Sequence, residues 1–218
     1  MASLFPLAQS QPSSGAISST PAQQGSEGNT WIQLEPIWQS AQLDATASPG
    51  IPHRRLSPVW QLLVLGDGYT TRNLSLLSGQ PIGAHILESL AVDPAQEQAP
   101  AALDPLGHQV QRRQVWLGSQ TDDIPLLYAT SWWNQAQIKA TLPDPHLPIG
   151  TSLMGSGLDV SRQILGLWWG HSPQLEHLFG YSGPFWGRHY WLMRQQQPLT
   201  LIYEVFSPHL SQWLGDPC

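Results

Sequence analysis

LTLIYEVF at residues 199–206 has the composition of a buried β-strand with one acidic residue in it. Its β-branched and aromatic residues favour an extended strand, and strand alternation places Ile202, Glu204 and Phe206 on one face. A carboxylate in a row of apolar side chains is costly to bury if it stays ionised and alone. Glu204 is therefore predicted to lie in a small polar patch inside an apolar region.

Comparable strand patterns occur at residues 81–90, 110–117, 125–133 and 187–193. The last of these is predicted to form a hairpin with residues 199–206. Helices are predicted at 59–65 and 173–179, because a Ser-Pro pair precedes each and a glycine follows each. Residues 151–169 are ambiguous and are predicted to be partly helical. Short turns between strands, with helices between groups of strands, indicate an α+β fold with a single antiparallel sheet.

Residues 1–50 differ in composition from the rest of the chain. They are rich in Ser, Gln, Ala, Pro and Gly, which favours an irregular or loosely docked segment. Two apolar islands, Trp31-Ile32 and Ile37-Trp38, could still lie against a domain. The predicted organisation is an N-terminal segment over residues 1–50 and one domain over residues 51–218.

Charge and composition argue against several classes of protein. A formal net charge of −6 over 218 residues is unfavourable for binding nucleic acid or an anionic lipid surface. The single cysteine, Cys218, leaves no internal disulfide and no thiolate cage for a metal. No apolar run approaches the roughly 20 residues of a membrane helix, and no secretory signal precedes the domain. We expect a cytoplasmic protein without a membrane span, a metal or a cofactor.

Motifs for other chemistries are missing or incomplete. GSG at 155–157 lacks the third glycine of a dinucleotide-binding loop, and no phosphate-binding loop or nucleophile elbow is present. The sole lysine, Lys139, makes Schiff-base chemistry improbable. A hydrolase that uses Ser, His and Asp from separate loops has no motif behind it.

Two adjacent arginines lie in the predicted strand at residues 110–117. Arg113 shares its face with Val115 and Leu117, so it is predicted to face inward, whereas Arg112 points to the opposite face. Arg113 and Glu204 could form a structural salt bridge, or both could line a pocket for a planar anionic ligand. If they are close, a guanidinium about 4 Å away favours the ionised carboxylate by about 4 kcal/mol at an effective dielectric near 20.

Four segments, in this order and spacing, resemble the chorismate lyase family: RQVWL at 113–117, PIG at 148–150, WGR at 186–188 and LIYEVF at 201–206. The resemblance extends from about residue 57 to 210. GPFWGRHY at 183–190 resembles the branch found in photosynthetic microbes and plastids. The resemblance implies a sheet of about six antiparallel strands, with flanking helices that cover an internal ligand pocket.

The resemblance also implies an activity. The family converts chorismate to 4-hydroxybenzoate and pyruvate without a cofactor, and in photosynthetic lineages the product feeds plastoquinone, a quinone. The alternative function is a non-catalytic protein that binds a small aromatic acid in the same pocket. No protein partner is indicated, so a monomer is expected.

The resemblance implies roles for individual residues. The side chains of Arg113 and Glu204, and the backbone at Tyr69 and Ile149, are implied to contact the substrate. Tyr69 departs from the family, whose members often carry methionine there. Arg188 is a secondary candidate for an anion contact, with a supporting role in the sheet or flap as the alternative.

The reaction implied by the resemblance breaks a carbon–oxygen bond while the ring becomes aromatic. It needs a reactive conformation and stabilisation of charge on the departing oxygen, rather than a covalent nucleophile. Arg113 suits the stabilisation of charge, and Glu204 is predicted to bind the ring hydroxyl. Slow release of 4-hydroxybenzoate is expected, because its ring and hydroxyl resemble those of the substrate.

Overall fold

The computed structural model describes residues 31–40, 56–157 and 159–217. Within them the strands are β1 (Glu35–Ser40), β2 (Ile82–Val92), β3 (Val110–Ser119), β4 (Pro125–Asn134), β5 (Val160–His171), β6 (Phe185–Arg194) and β7 (Gln197–Phe206). The α-helices are α1 (Pro58–Leu65), α2 (Thr70–Ser78), α3 (Gln135–Thr141), α4 (Ile149–Ser156), α5 (Pro173–Phe179) and α6 (Ser211–Leu214). Short 3-10 turns lie at Asp104–Leu106 and Pro208–Leu210.

The strands form one antiparallel sheet in the order β1-β5-β6-β7-β4-β3-β2. The predicted α+β class and single antiparallel sheet are confirmed, and the described part of the sheet has seven strands rather than about six. All five predicted strands and both predicted helices are present. The ambiguous stretch at 151–169 divides into the end of α4 and most of β5. Gly157, with a φ of 64°, separates them, since a left-handed glycine commonly ends a helix.

The additional strand comes from the segment that was expected to be irregular. Trp31 is buried, and its ring lies 5.0 Å from the ring centroids of Trp132 and Tyr203. β1 then pairs with β5. The two backbones approach so closely at Gly170 that a Cβ atom added to this glycine would lie 2.1 Å from the carbonyl oxygen of Glu35, so a larger residue would not fit there. Residues 31–40 are therefore docked on the sheet, because their apolar side chains gain from burial. The other residues of 1–50 lie outside the described part, so the domain division stays a prediction.

Each face of the sheet is covered by a different set of elements. The first face packs against α1, α2, α3 and α4, with Trp60, Leu74 and Leu153 among the buried side chains. The second face packs against residues 31–34, the turn at Asp104–Leu106 and α5. Because strand residues alternate between faces, odd-numbered positions of β3 and β4 and even-numbered positions of β6 and β7 point toward the first face.

The second face carries a buried histidine that makes stability depend on pH. His189 is 8% exposed, its Nδ1 accepts a hydrogen bond from Trp168 Nε1 at 2.8 Å, and burial lowers its pKa from 6.5 to about 4. The folded state therefore favours the neutral ring. The contribution of His189 to the free energy of unfolding is complete above pH 6.5 and is lost as the pH falls toward 4. We expect a loss of about 3 kcal/mol of unfolding free energy between pH 7 and pH 4.

Urea unfolding at both pH values measures this loss, with His189→Asn and His177→Gln as variants. His177 is exposed on α5, so its variant should behave like the unmodified protein, whereas His189→Asn should show a much smaller pH dependence. An unchanged pH dependence in His189→Asn would assign the effect to another group.

Candidate active site

A cavity lies between the first face of the sheet and the starts of α2 and α4. It encloses about 450 Å³ of empty volume, counting its opening to solvent. Most of its wall is apolar, with Val115, Leu117, Ala129, Leu153, Leu192 and Ile202. The charged side chains in the described wall are Arg113, Arg162 and Glu204. An apolar cavity with a few charged groups is suited to an organic anion that carries a ring.

Glu204 is held in place by three donors. Its side chain is 6% exposed; Arg188 Nε donates to Oε2 at 2.8 Å, and Tyr190 Oη and Thr70 Oγ1 donate to Oε1 at 3.0 and 3.2 Å. Burial, and then the negative charge of Glu204, raise the pKa of Tyr190 to about 12, so Tyr190 keeps its proton and serves as a donor. The carboxylate therefore has a fixed orientation before any ligand enters.

Arg188 connects this carboxylate to the helices above it. The residue is 0% exposed; its Nη1 donates to the carbonyl oxygens of Val64 and Gly66, and its Nη2 donates to Thr70 Oγ1 at 2.8 Å. The guanidinium thus joins β6, the end of α1 and the start of α2. Arg188 is not part of the cavity wall, so its contacts are those of a supporting residue.

Arg113 faces the cavity from β3 and has no acidic partner among the described residues. It is 2% exposed, its Nη2 donates to the carbonyl oxygen of Pro145 at 2.6 Å, and its Nε has no hydrogen-bond partner. Burial lowers its pKa from 12.5 to about 10, so it is still charged near neutral pH. A buried cation without a counter-ion is typical of an anion-binding site.

The first turns of α2 and α4 also line the cavity. Tyr69 precedes α2 and Ile149 begins α4, and both residues belong to the cavity wall. The first backbone N–H groups of a helix have no partner within that helix, so they can donate to an anionic ligand. The two helix starts are close together, since a Cβ on Gly150 would lie 3.0 Å from Thr71 Oγ1.

A family model described as "Chorismate pyruvate-lyase Rv2949c-like" matches residues 64–214. The chain belongs to this family. It is 34% identical over 155 residues to "Uncharacterized protein ycf21" of Porphyra purpurea, which covers 71% of this chain and 84% of the relative. The ycf21 protein of Cyanophora paradoxa is 31% identical over 159 residues, covering 73% of this chain and 82% of the relative. The resemblance to chorismate lyases found in the sequence is confirmed.

A solved structure, PhnF from Mycobacterium smegmatis, has a similar fold at 11% identity. Its TM-score is 0.50, and the match covers 66% of each chain. A likeness at this identity concerns the fold alone.

The helices in the described residues of this chorismate pyruvate-lyase family member are all too short or too polar to span a bilayer.

Of the two alternatives for Arg113 and Glu204, the structural salt bridge is not formed in the described part of the chain. Strand β4 lies between β3 and β7, and its Ala129 is paired with Val115 on one side and with Glu204 on the other. Glu204 instead pairs with Arg188, its direct neighbour on β6. Both predicted residues still line the same cavity, and the small side chain of Ala129 leaves space between them.

Arg112 is also buried, although alternation pointed only Arg113 inward. Arg112 is 1% exposed on the second face, where Nη2 lies 2.8 Å from Glu88 Oε1 and Nη1 lies 2.9 Å from Glu97 Oε1. Both faces of β3 are covered, so alternation alone could not tell which arginine serves a site. The difference lies in their partners, because Arg112 is paired with two acids and Arg113 with none in the described chain.

Arg162 is a cavity residue that the sequence analysis missed. It lies on β5, its Cζ is 5.2 Å from the ring centroid of Tyr190 and 5.6 Å from that of Tyr69, and its Nη1 donates to the carbonyl oxygen of Asp67. The start of β5 was read as part of an ambiguous stretch, so no face was assigned to it. Alternation with Val160 and Ile164 is the signal that could have found Arg162.

Proposed function

We propose that this protein is a chorismate lyase that converts chorismate to 4-hydroxybenzoate and pyruvate. The observation that carries the proposal is the buried Arg113, which has no acidic partner in the described part of the chain and faces the same apolar cavity as the fixed carboxylate of Glu204. The two residues are on strands separated by β4 and are offset by two residues along the strand direction, so their backbones are about 12 Å apart at the usual strand spacing and rise. A flat ring with an acid group at one end and a hydroxyl at the other suits this separation.

The reaction rearranges electrons within the substrate. The bond between the ring and the enolpyruvyl oxygen breaks, and the oxygen keeps the electron pair. The ring carbon that bears the hydroxyl loses its proton, and the electrons of that bond complete the aromatic ring. The net destination of the proton is the methylene carbon of the departing enolpyruvate, which becomes the methyl group of pyruvate. No outside oxidant or nucleophile is required.

The side chains of the cavity act by positioning and by electrostatics. Arg113 binds the ring carboxylate, because it supplies an unpaired guanidinium at one end of the cavity. Glu204 accepts a hydrogen bond from the ring hydroxyl and fixes the orientation of the ring. Because β4 separates Arg113 from Glu204, Arg113 lies at the opposite end of the ring from the departing oxygen. The negative charge on that oxygen is therefore stabilised by a group at the other end of the cavity and not by Arg113.

Purified protein incubated with chorismate tests the proposal. We expect equal amounts of 4-hydroxybenzoate and pyruvate, followed by chromatography, with EDTA present to remove adventitious metal ions. Binding of 4-hydroxybenzoate without any turnover would instead support a non-catalytic aromatic-acid binding protein. Formation of 3-hydroxybenzoate or salicylate would indicate a different reaction of chorismate.

The cellular role and assembly state extend the same proposal. We propose that the 4-hydroxybenzoate enters the synthesis of a quinone such as plastoquinone, and that the protein acts as a cytoplasmic monomer. The family match supports only the supply of 4-hydroxybenzoate in this proposal.

A further inference from the structure

The charges around the cavity do not balance. Glu204 is paired with Arg188, and its single negative charge also attracts Arg162, so one carboxylate is shared among the arginines around it. Arg113 and Arg162 both belong to the cavity wall, and neither forms an ion pair with an acidic residue in the described part of the chain. The empty site therefore has an excess of two positive charges in a protein with a net charge of −6. A ligand with two negative charges matches that excess.

The two arginines stand at opposite sides of the cavity floor. In the sheet, β3 carries Arg113, β7 carries Glu204 and β5 carries Arg162, with β4 and β6 between them. Four strand spacings separate β3 from β5, which is roughly 19 Å between backbones. Both side chains extend into the cavity wall from these outer positions, so Glu204 lies between two guanidinium groups.

Arg162 is held in a way that leaves donors free. The faces of Tyr69 and Tyr190 lie against its guanidinium, which also hydrogen-bonds to the Tyr190 hydroxyl, and its Nη1 donates to the carbonyl oxygen of Asp67. Its Nε has no hydrogen-bond partner among the described residues. Stacking restricts the plane of a guanidinium without using its N–H groups. Arg162 is also partly exposed, whereas Arg113 is buried, which places Arg162 where the cavity meets solvent. It is therefore a preorganised anion-binding group at the mouth of the cavity.

We propose that Arg162 binds a second carboxylate of the ligand, so that the cavity selects dicarboxylates over monocarboxylates. The assignment rests on the proposed function, in which the second carboxylate is that of the enolpyruvyl group. Arg162 then lies beside the fragment that receives the electron pair of the broken bond, and it stabilises that charge. The same fragment departs as pyruvate from the side of the cavity that faces solvent.

Two stable probes separate this role from general shaping of the cavity. They are 3-carboxymethoxy-4-hydroxybenzoate, which has a second carboxylate, and 4-hydroxy-3-methoxybenzoate, which lacks it. Binding of both is measured by calorimetry in the unmodified protein and in Arg162→Gln, Arg162→Lys and Arg194→Gln. Arg194 is exposed at the end of β6, outside the cavity wall, so its variant controls for the loss of one positive charge.

We expect Arg162→Gln to weaken the dicarboxylate about 10- to 100-fold, the usual effect of losing a hydrogen bond between charged groups. The monocarboxylate should change by less than about 3-fold, Arg162→Lys should lose less than Arg162→Gln, and Arg194→Gln should bind both probes normally. Equal weakening of both probes, or no weakening of the dicarboxylate, would overturn the role of Arg162. Circular dichroism of each variant checks that the sheet is intact.

The binding result is separate from catalysis. If the unmodified protein fails to turn over chorismate but shows the Arg162-dependent preference for the dicarboxylate, the lyase proposal fails and the selectivity stands. If turnover occurs and the preference is absent, the lyase proposal stands and this assignment fails. For an active enzyme, Arg162→Gln should also raise KM for chorismate by about 10-fold or more.

Discussion

Arg113→Met should greatly reduce chorismate turnover and, in the absence of ligand, make the protein more stable. The guanidinium of Arg113 is buried, and no acidic side chain of residues 31–40, 56–157 or 159–217 pairs with it. The lowering of its pKa from 12.5 to about 10 corresponds to about 3 kcal/mol of destabilisation near neutral pH. That destabilisation would be relieved only as the pH rises above 10, where the folded state releases the proton. Methionine has a similar length and no charge, so we expect a gain of about 2 kcal/mol and a loss of about 10³-fold in kcat/KM.

The adjacent arginine provides a matched control. Arg112 lies on the same strand and is equally buried, but it is paired with Glu88 and Glu97. Arg112→Met should therefore destabilise the protein by about 3 kcal/mol, because it leaves two acids without their cation. Urea unfolding of both variants, with kinetics of 4-hydroxybenzoate formation, makes the comparison. If Arg113→Met is less stable than the unmodified protein, the idea of a site with an uncompensated charge is incorrect.

Glu204→Gln should reduce both stability and turnover. The neutral amide leaves Arg188, which is 0% exposed, without its only carboxylate partner in the described residues. Removal of one member of a buried ion pair commonly costs 3–5 kcal/mol, and we expect a loss of about 3 kcal/mol because the amide oxygen can still accept a hydrogen bond. The ring hydroxyl also loses a charged acceptor, so kcat should fall about 10²-fold or more.

A second buried carboxylate separates the two effects of this substitution. The side chain of Glu97 is 6% exposed, like that of Glu204, and it pairs with Arg112 on the other face of the sheet. Glu97→Gln should lower stability by less, since Glu88 still pairs with Arg112, and it should leave kcat unchanged at temperatures where the protein is folded. A similar fall in kcat for both variants would mean that turnover follows stability, and that Glu204 has no direct role.

The fold was largely predictable because its signals are local. Five strands and two helices could be recognised from alternation, from Ser-Pro starts and from glycine ends, all of which depend on residues a few positions apart. The N-terminal strand was harder to recognise, because Glu35–Ser40 contains only the short apolar island Ile37-Trp38 in a polar segment. Its position on the sheet depends on β5, which is more than 100 residues away.

Alternation along one strand assigns each side chain to a face, so the amino-acid sequence alone was enough to predict a carboxylate and a guanidinium among apolar side chains. It did not determine their partners. Strand order decided that Ala129 lies between Arg113 and Glu204, that Arg188 pairs with Glu204, and that a third arginine reaches the same cavity from β5. Ion pairing requires proximity across strands, and the order of those strands follows from packing of the whole sheet rather than from any one segment.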